Sequence, residues 1–185
     1  MLETFLTKDE ADAALDAILK TTPWAQKSIV LFGKTIPQPR LVAWMGDSGA
    51  VYTYSGLTQE PLPWTPAVAA LRVRVEAAAR TAFNSVLLNL YRDGNDSMGF
   101  HADDEPELGP DPTIASLSLG ATRRFDLKPR RRPRTADPVR MALTHGSLLV
   151  MDGALQKAWV HGVPKEADVT SPRVNLTFRR IVARA

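Results

Sequence analysis

The sequence carries His101-Ala-Asp103 on one short segment and a second histidine, His161 in Trp-Val-His-Gly-Val, 58 residues after the aspartate. Two imidazoles and one carboxylate are the ligand set of the facial triad that holds non-haem Fe(II) and leaves its other coordination positions open. A fold that uses them must bring the two segments together, and an oxygen-activating iron enzyme is the leading expectation. On an extended segment residues i and i+2 point to the same side, so His101 and Asp103 can reach one metal while Ala102 faces away. A plainer reading stands beside this one. Asp103-Asp104-Glu105-Pro106-Glu107 also has the composition of a solvated acidic loop with His101 at its flank, and a lone His-x-Asp is only a hypothesis until its context agrees.

The context comes from the C-terminal segment Pro172-Arg-Val-Asn-Leu-Thr-Phe-Arg179. Read with period two, Arg173, Asn175, Thr177 and Arg179 share one face of a strand, and Val174, Leu176 and Phe178 share the other. Such a strand ordinarily packs its apolar face and wets its polar one. Two arginines on one face, however, suit bidentate recognition of a small dianion. The strand Val86-Leu-Leu-Asn89-Leu-Tyr91 repeats the pattern, with Asn89 and Tyr91 on one face.

Taken in order, Asn89-Leu-Tyr91, His101-Ala-Asp103, Ile114-Ala-Ser-Leu-Ser-Leu-Gly120, His145-Gly-Ser-Leu-Leu, His161-Gly-Val-Pro and Arg173-Val-Asn-Leu-Thr-Phe-Arg179 resemble the AlkB family of Fe(II)/2-oxoglutarate dioxygenases, closest to its duplex-DNA repair branch. The likeness runs from about Ile29 to Ile181, and the Arg-x-Asn-x-x-x-Arg ending is far more diagnostic than the triad. The resemblance implies His101, Asp103 and His161 as iron ligands. It implies that Arg173, helped by Tyr91, grips the distal carboxylate of 2-oxoglutarate, that Arg179 holds the keto-acid end near Asn89, and that Asn175 lines the same pocket. The strand pattern alone does not say which arginine takes which end. Iron, 2-oxoglutarate and O2 are the expected cofactor and cosubstrates. His145 is read as a turn residue before the strand Ser147–Met151.

A chain of 185 residues is one domain's worth, able to bury a core without staples. With no cysteine, neither a disulfide framework nor a thiolate metal site is available. The N-terminus lacks a basic region and an apolar run of signal length, and no run approaches membrane-spanning length, so a soluble, cytoplasmic protein without membrane contact is expected. A monomer is the expected state. The formal charge is +3 and the isoelectric point about 9.4. Lys128-Pro-Arg130-Arg131-Arg132-Pro-Arg134 puts five cations in seven residues, after Arg123-Arg124. Such a run is commonly a solvated loop and also resembles a targeting signal; the sharper reading is contact with nucleic-acid phosphates.

The predicted fold is mainly β with flanking helices, a double-stranded β-helix (jelly-roll) built as an antiparallel sandwich. Residues 1–185 form a single domain in this reading, with 1–82 a helical, nucleotide-recognition part and 83–185 the catalytic core. Thr7-Lys-Asp-Glu10 is a capping box opening a helix to about Lys20, with Ala11, Ala14, Leu15, Ile18 and Leu19 as its apolar stripe. Thr65-Pro66 opens a second helix to about Arg80. Strands follow at Ile114–Leu119, Arg123–Lys128, Val139–Leu143 and Ser147–Met151, and residues Pro129 to Pro138 form a long loop between strands.

Substrate recognition must come from the N-terminal third and from residues near the metal. Tyr52-Thr-Tyr54 is by itself an ordinary packing segment; the resemblance places Tyr54 where an aromatic stacks on an extruded base, with Tyr52 beside it, and sets Glu105 toward the base's exocyclic amine. Val30-Leu-Phe32-Gly-Lys34 resembles a finger inserted into the base stack, whereas the plain alternative makes Phe32 a core residue ending the strand Ile29–Phe32. Together these imply oxidative removal of N-linked methyl groups from 1-methyladenine and 3-methylcytosine in damaged double-stranded DNA, with formaldehyde released. RNA or single-stranded DNA as substrate, and a non-catalytic nucleic-acid-binding module, are the alternatives.

Overall fold

Thr7 Oγ1 accepts a hydrogen bond from Glu10 N at 3.3 Å and Glu10 Oε2 accepts one from Thr7 N at 2.9 Å, so the capping box closes the first turn of helix α1 (Lys8–Thr21). Helix α2 (Pro66–Ala79) starts on Thr65, whose hydroxyl accepts from Val68 N, with Pro66 in the first turn where its missing N–H costs nothing. It ends at Arg80, the left-handed C-cap. The computed structural model describes residues 1–31, 33–50, 52–54, 57–130 and 136–182. Side chains at 29–31, 52–54 and 57–59 lie outside that description.

Both helices lie on a five-stranded antiparallel sheet of order β11-β8-β13-β6-β3. Its strands are β3 (Leu41–Gly46), β6 (Ser85–Tyr91), β8 (Ile114–Gly120), β11 (Ser147–Met151) and β13 (Arg173–Arg179). One face of β13, Val174, Leu176 and Phe178, packs with Leu88 and Leu117 against Ile18, Val68, Leu71 and Val75 of the helices. Each such large apolar side chain contributes about 1.5–3 kcal/mol by leaving water. The opposite face meets a four-stranded sheet, β10-β9-β12-β7, made of β7 (Met98–His101), β9 (Arg123–Pro129), β10 (Val139–Leu143) and β12 (Trp159–Val163). Phe125, Leu127 and Val163 from this second sheet join Tyr91, Ile114 and Met151 in a second apolar cluster. The two sheets and their antiparallel pairing make the expected jelly-roll core.

Two hairpins complete the strands, β1 (Ser28–Leu31) with β2 (Lys34–Pro37) and β4 (Tyr52–Tyr54) with β5 (Leu57–Gln59). The N-terminal part is therefore less helical than expected, because β3 belongs to the main sheet and pairs with β6 from Leu41↔Leu90 to Gly46↔Ser85. A six-residue helix α3 (Gly153–Ala158) leads into β12. Gly120 closes β8 at φ +87, and a Cβ there would lie 2.4 Å from the Pro172 carbonyl oxygen, which explains glycine at the end of Ser-Leu-Gly. His145 has a structural role: Gly120 N–H donates to its Nδ1 at 2.8 Å, which leaves the proton on Nε2, 3.1 Å from Asp12 Oδ1 on α1.

Candidate metal and cosubstrate site

Strand pairing brings the triad together. β12 pairs with β7 so that His161 lies opposite His101, and Asp103 follows two residues beyond. The three side chains offer ligand atoms within 4.8 Å of one another, with His161 Nε2 3.6 Å from Asp103 Oδ2. His101 Nδ1 lies 2.9 Å from the Gly99 carbonyl oxygen. A carbonyl can only accept, so Nδ1 carries the proton and Nε2 keeps its lone pair for a metal. Phe125 stacks on the His161 ring at 5.2 Å and fixes its plane. Burial, seconded by the neighbouring His101, lowers the His161 pKa to about 4 against the opposing pull of Asp103, so at neutral pH the imidazole is uncharged and able to ligate.

Asp103 is 1 % exposed, and burial alone would raise its carboxyl. The Arg179 guanidinium outweighs that and holds it below the usual carboxylate range. Arg179 Nη2 donates directly to Asp103 Oδ1. Arg179 thus meets the carboxylate of the cluster in addition to lining the cavity, a contact that strand periodicity does not reveal. The donor set is two imidazoles and one carboxylate, which fits Fe(II).

The triad lines a cavity of about 460 Å³ of atom-free space, counting the solvent at its open mouth, and Asn89, Tyr91, Arg173, Asn175 and Arg179 line it too. Arg173 is 1 % exposed and donates through Nη2 to Ser118 Oγ at 2.9 Å, yet its Nε and Nη1 are buried without a hydrogen-bond partner. Its guanidinium carbon lies 5.2 Å from the centre of the Tyr91 ring. Burial draws its pKa down from the ordinary arginine value, with Tyr91 opposing. Two buried cationic donors without partners are costly, and a carboxylate of a small dianion would satisfy both in the bidentate manner that arginine favours. This is the observation that the residues fit 2-oxoglutarate.

Asn175 is already engaged: Nδ2 donates to Ser116 Oγ at 2.7 Å and to the Leu117 carbonyl at 3.2 Å, and Oδ1 accepts from Thr177 Oγ1 at 2.9 Å. It stiffens the cavity wall. Asn89 Oδ1 accepts from Arg40 Nε at 2.8 Å, a buried partner with no signal in the sequence. Ser116 and Ser118 lie within the quoted Ile114–Gly120 motif, and only the period-two register of β8 against β13 (Asn175↔Ser118, Thr177↔Ser116) marks them as inward.

The basic stretch divides. Arg123, counted with the phosphate-binding cations on sequence, is 1 % exposed and donates to the carbonyls of Asp93, Asp96 and Pro164 and to Glu166 Oε2, so it is a structural clamp. Arg124 alternates outward and pairs with Asp126 at 3.1 Å. Arg130 is exposed and donates to Asp104 Oδ2 at 2.5 Å, so Asp104 faces a cation of its own chain. Arg131, Arg132 and Arg134 lie outside the described residues, as does Phe32. Lys34 is exposed at the start of β2. Tyr52 and Tyr54 form β4, their side chains outside the description. Glu105 is half-buried at the start of the 3₁₀ turn Pro106–Leu108.

The two-sheet core is found in the solved structure of OsALKBH1, which matches with a TM-score of 0.64 over 97% of this chain and 95% of that one at 17% identity, a likeness of fold. A sequence model described as the 2OG-Fe(II) oxygenase superfamily matches residues 1–179. The chain is 46% identical over 184 residues to Alpha-ketoglutarate-dependent dioxygenase alkB homolog 3 of Mus musculus, covering 96% of this chain and 64% of that protein. It is 42% identical over 183 residues to DNA oxidative demethylase ALKBH2 of Homo sapiens, covering 95% of this chain and 70% of the relative. The chain belongs to the 2OG-Fe(II) oxygenase superfamily and, within it, to the AlkB family. The cofactor and cosubstrates of that superfamily, Fe(II), 2-oxoglutarate and O2, are those that the triad and Arg173 fit. The chain spans about 64% of the length of the alkB homolog 3 relatives. Among the described residues no helix is long and apolar enough to cross a membrane.

Proposed function

We propose that this chain is an iron- and 2-oxoglutarate-dependent dioxygenase that demethylates N-alkylated bases, 1-methyladenine and 3-methylcytosine, in DNA, preferring a double strand and acting as a single domain over residues 1–185. The observation that carries the reading is one cavity lined both by the His101–Asp103–His161 cluster and by Arg173 with two unpaired buried donors. The DNA assignment is supported by likeness to a protein named as a DNA oxidative demethylase. Iron would be held by His101, Asp103 and His161, and 2-oxoglutarate by Arg173 beside Tyr91, with Asn89, Asn175 and Arg179 shaping the rest of its pocket. Once bound, they supply with O2 an oxidant able to hydroxylate an N-methyl group, 2-oxoglutarate becoming succinate and CO2. The hydroxymethyl base then expels formaldehyde, and the proton returns to the ring nitrogen's freed electron pair or to water.

The chain's own residues bind, orient and exclude water. Arg179 keeps Asp103 ionised and aimed; Phe125 and Met98 wall the cavity. Tyr54 and Tyr52 would receive the extruded base, Glu105 its amine edge, and Arg130, Arg131, Arg132 and Lys34 the phosphates. Support for a duplex substrate comes from the β1–β2 hairpin, a separate two-stranded sheet pairing Leu31 with Lys34 and carrying Phe32-Gly33 between them in sequence. If Phe32 fills the gap left by an extruded base, Phe32→Ala should depress repair of a methylated duplex strongly and spare the same lesion in a single strand. Repair of both substrates by both proteins, with thermal melts, is the test. Equal losses, or the drop of roughly 3–5 kcal/mol expected of a core phenylalanine, would favour a single-strand or RNA substrate.

A further inference from the structure

Gln156 is 1 % exposed on α3, five positions before His161. Its Oε1 accepts a hydrogen bond from Asp103 N–H at 3.0 Å, and its Nε2 points to Met151 Sδ at 3.9 Å. Asp103 lies beyond the end of β7 at His101, so its amide has left the sheet and needs a side chain as partner. The Gln156 carbonyl in turn accepts from Arg130 Nη1 at 3.0 Å, the same nitrogen that donates to Asp104. Arg130 N–H is itself tied to the Ala158 carbonyl at 2.9 Å. Residue 103 is therefore fastened to α3 directly and residue 104 through Arg130, and α3 leads into β12, the strand that carries His161.

An amide is an expensive way to fill a core position that a leucine or methionine could fill, so its presence here calls for a task. We propose that Gln156 is a positioning residue for the metal site, holding the Asp103 backbone so that its carboxylate is set against His161, with Arg130 bracing Asp104 from the other side. The inference rests on reading His101, Asp103 and His161 as iron ligands, and it makes α3, which leads into the strand carrying His161, the brace for Asp103.

Cobalt(II), a dication that takes nitrogen and oxygen ligands, is the probe, titrated by its visible absorption into the metal-free full chain. Gln156→Met keeps the length and loses the acceptor; Gln156→Glu keeps the acceptor oxygen. The methionine variant should bind cobalt on the order of 10- to 100-fold more weakly than the parent with an altered spectrum, and the glutamate variant should recover most of the affinity. Thermal melts set a titration temperature at which every variant is folded. Arg130→Gln, at an exposed position that does not threaten the core, should weaken binding by a smaller factor, and it decides the matter if Gln156→Met is too unstable to titrate. Unchanged cobalt affinity and spectrum in Gln156→Met, whatever its melting temperature, would overturn the proposal, as would failure of Gln156→Glu to exceed it. A parent chain that binds no cobalt would overturn the iron-site reading itself, a distinct result.

Discussion

Replacing Asp103 with alanine is expected to abolish succinate formation and to lower the melting temperature as well. The first effect follows from the loss of one of the three side chains that would hold the iron under this proposal. The second follows from the ion pair, since Asp103 and Arg179 are both almost wholly buried and the guanidinium would lose its carboxylate. Breaking a buried pair from one side costs about 3–5 kcal/mol, which in a chain of this size corresponds to a fall of very roughly 6–20 °C. Asp103→Asn, which keeps an oxygen acceptor for Arg179, should recover part of the stability while turnover stays lost. Succinate release and a thermal melt on both variants check this; measurable turnover in purified Asp103→Ala would remove Asp103 from the metal site.

The second large effect is expected at Arg173. Under the proposed function a carboxylate of 2-oxoglutarate would meet its Nε and Nη1, and a charge-assisted contact is worth about 1.5–3 kcal/mol. Arg173→Ala should therefore raise the 2-oxoglutarate requirement roughly 10- to 100-fold at saturating DNA and leave the DNA requirement nearly unchanged. Arg173→Lys, retaining the charge without the planar fork, should fall between. An unchanged 2-oxoglutarate requirement in the alanine variant would make Arg173 a structural residue beside Tyr91 and Ser118.

The parts of the fold visible in the sequence are those with a strict period or a capping signal. Arg173 to Arg179 alternates cleanly, and its polar face turned out to be interior because a second sheet covers it. The capping box of α1 and the Thr65-Pro66 start of α2 were equally legible. β3 was missed because Leu-Val-Ala-Trp-Met-Gly shows no alternation, being covered on both faces. α3 is too short for a helical period, and β7 too short for a strand period. Where the site departs from the sequence reading, the cause is side-chain partnership. Arg123 and Arg124 are identical as letters in a charge run, but alternation along β9 buries the first among carbonyls and leaves the second outside. The contacts of Gln156 with Asp103, Arg40 with Asn89 and Arg179 with Asp103 cross 53, 49 and 76 positions of chain and carry no motif.

The most direct measurement is product balance. Purified chain, Fe(II), 2-oxoglutarate and O2 would be incubated with an oligonucleotide bearing one 3-methylcytosine, and succinate, formaldehyde and repaired base counted over the same interval. The three should accumulate together in equal amounts, and none should form without added 2-oxoglutarate. Succinate formed without loss of the methyl group, or binding of the oligonucleotide with no succinate at all, would contradict it.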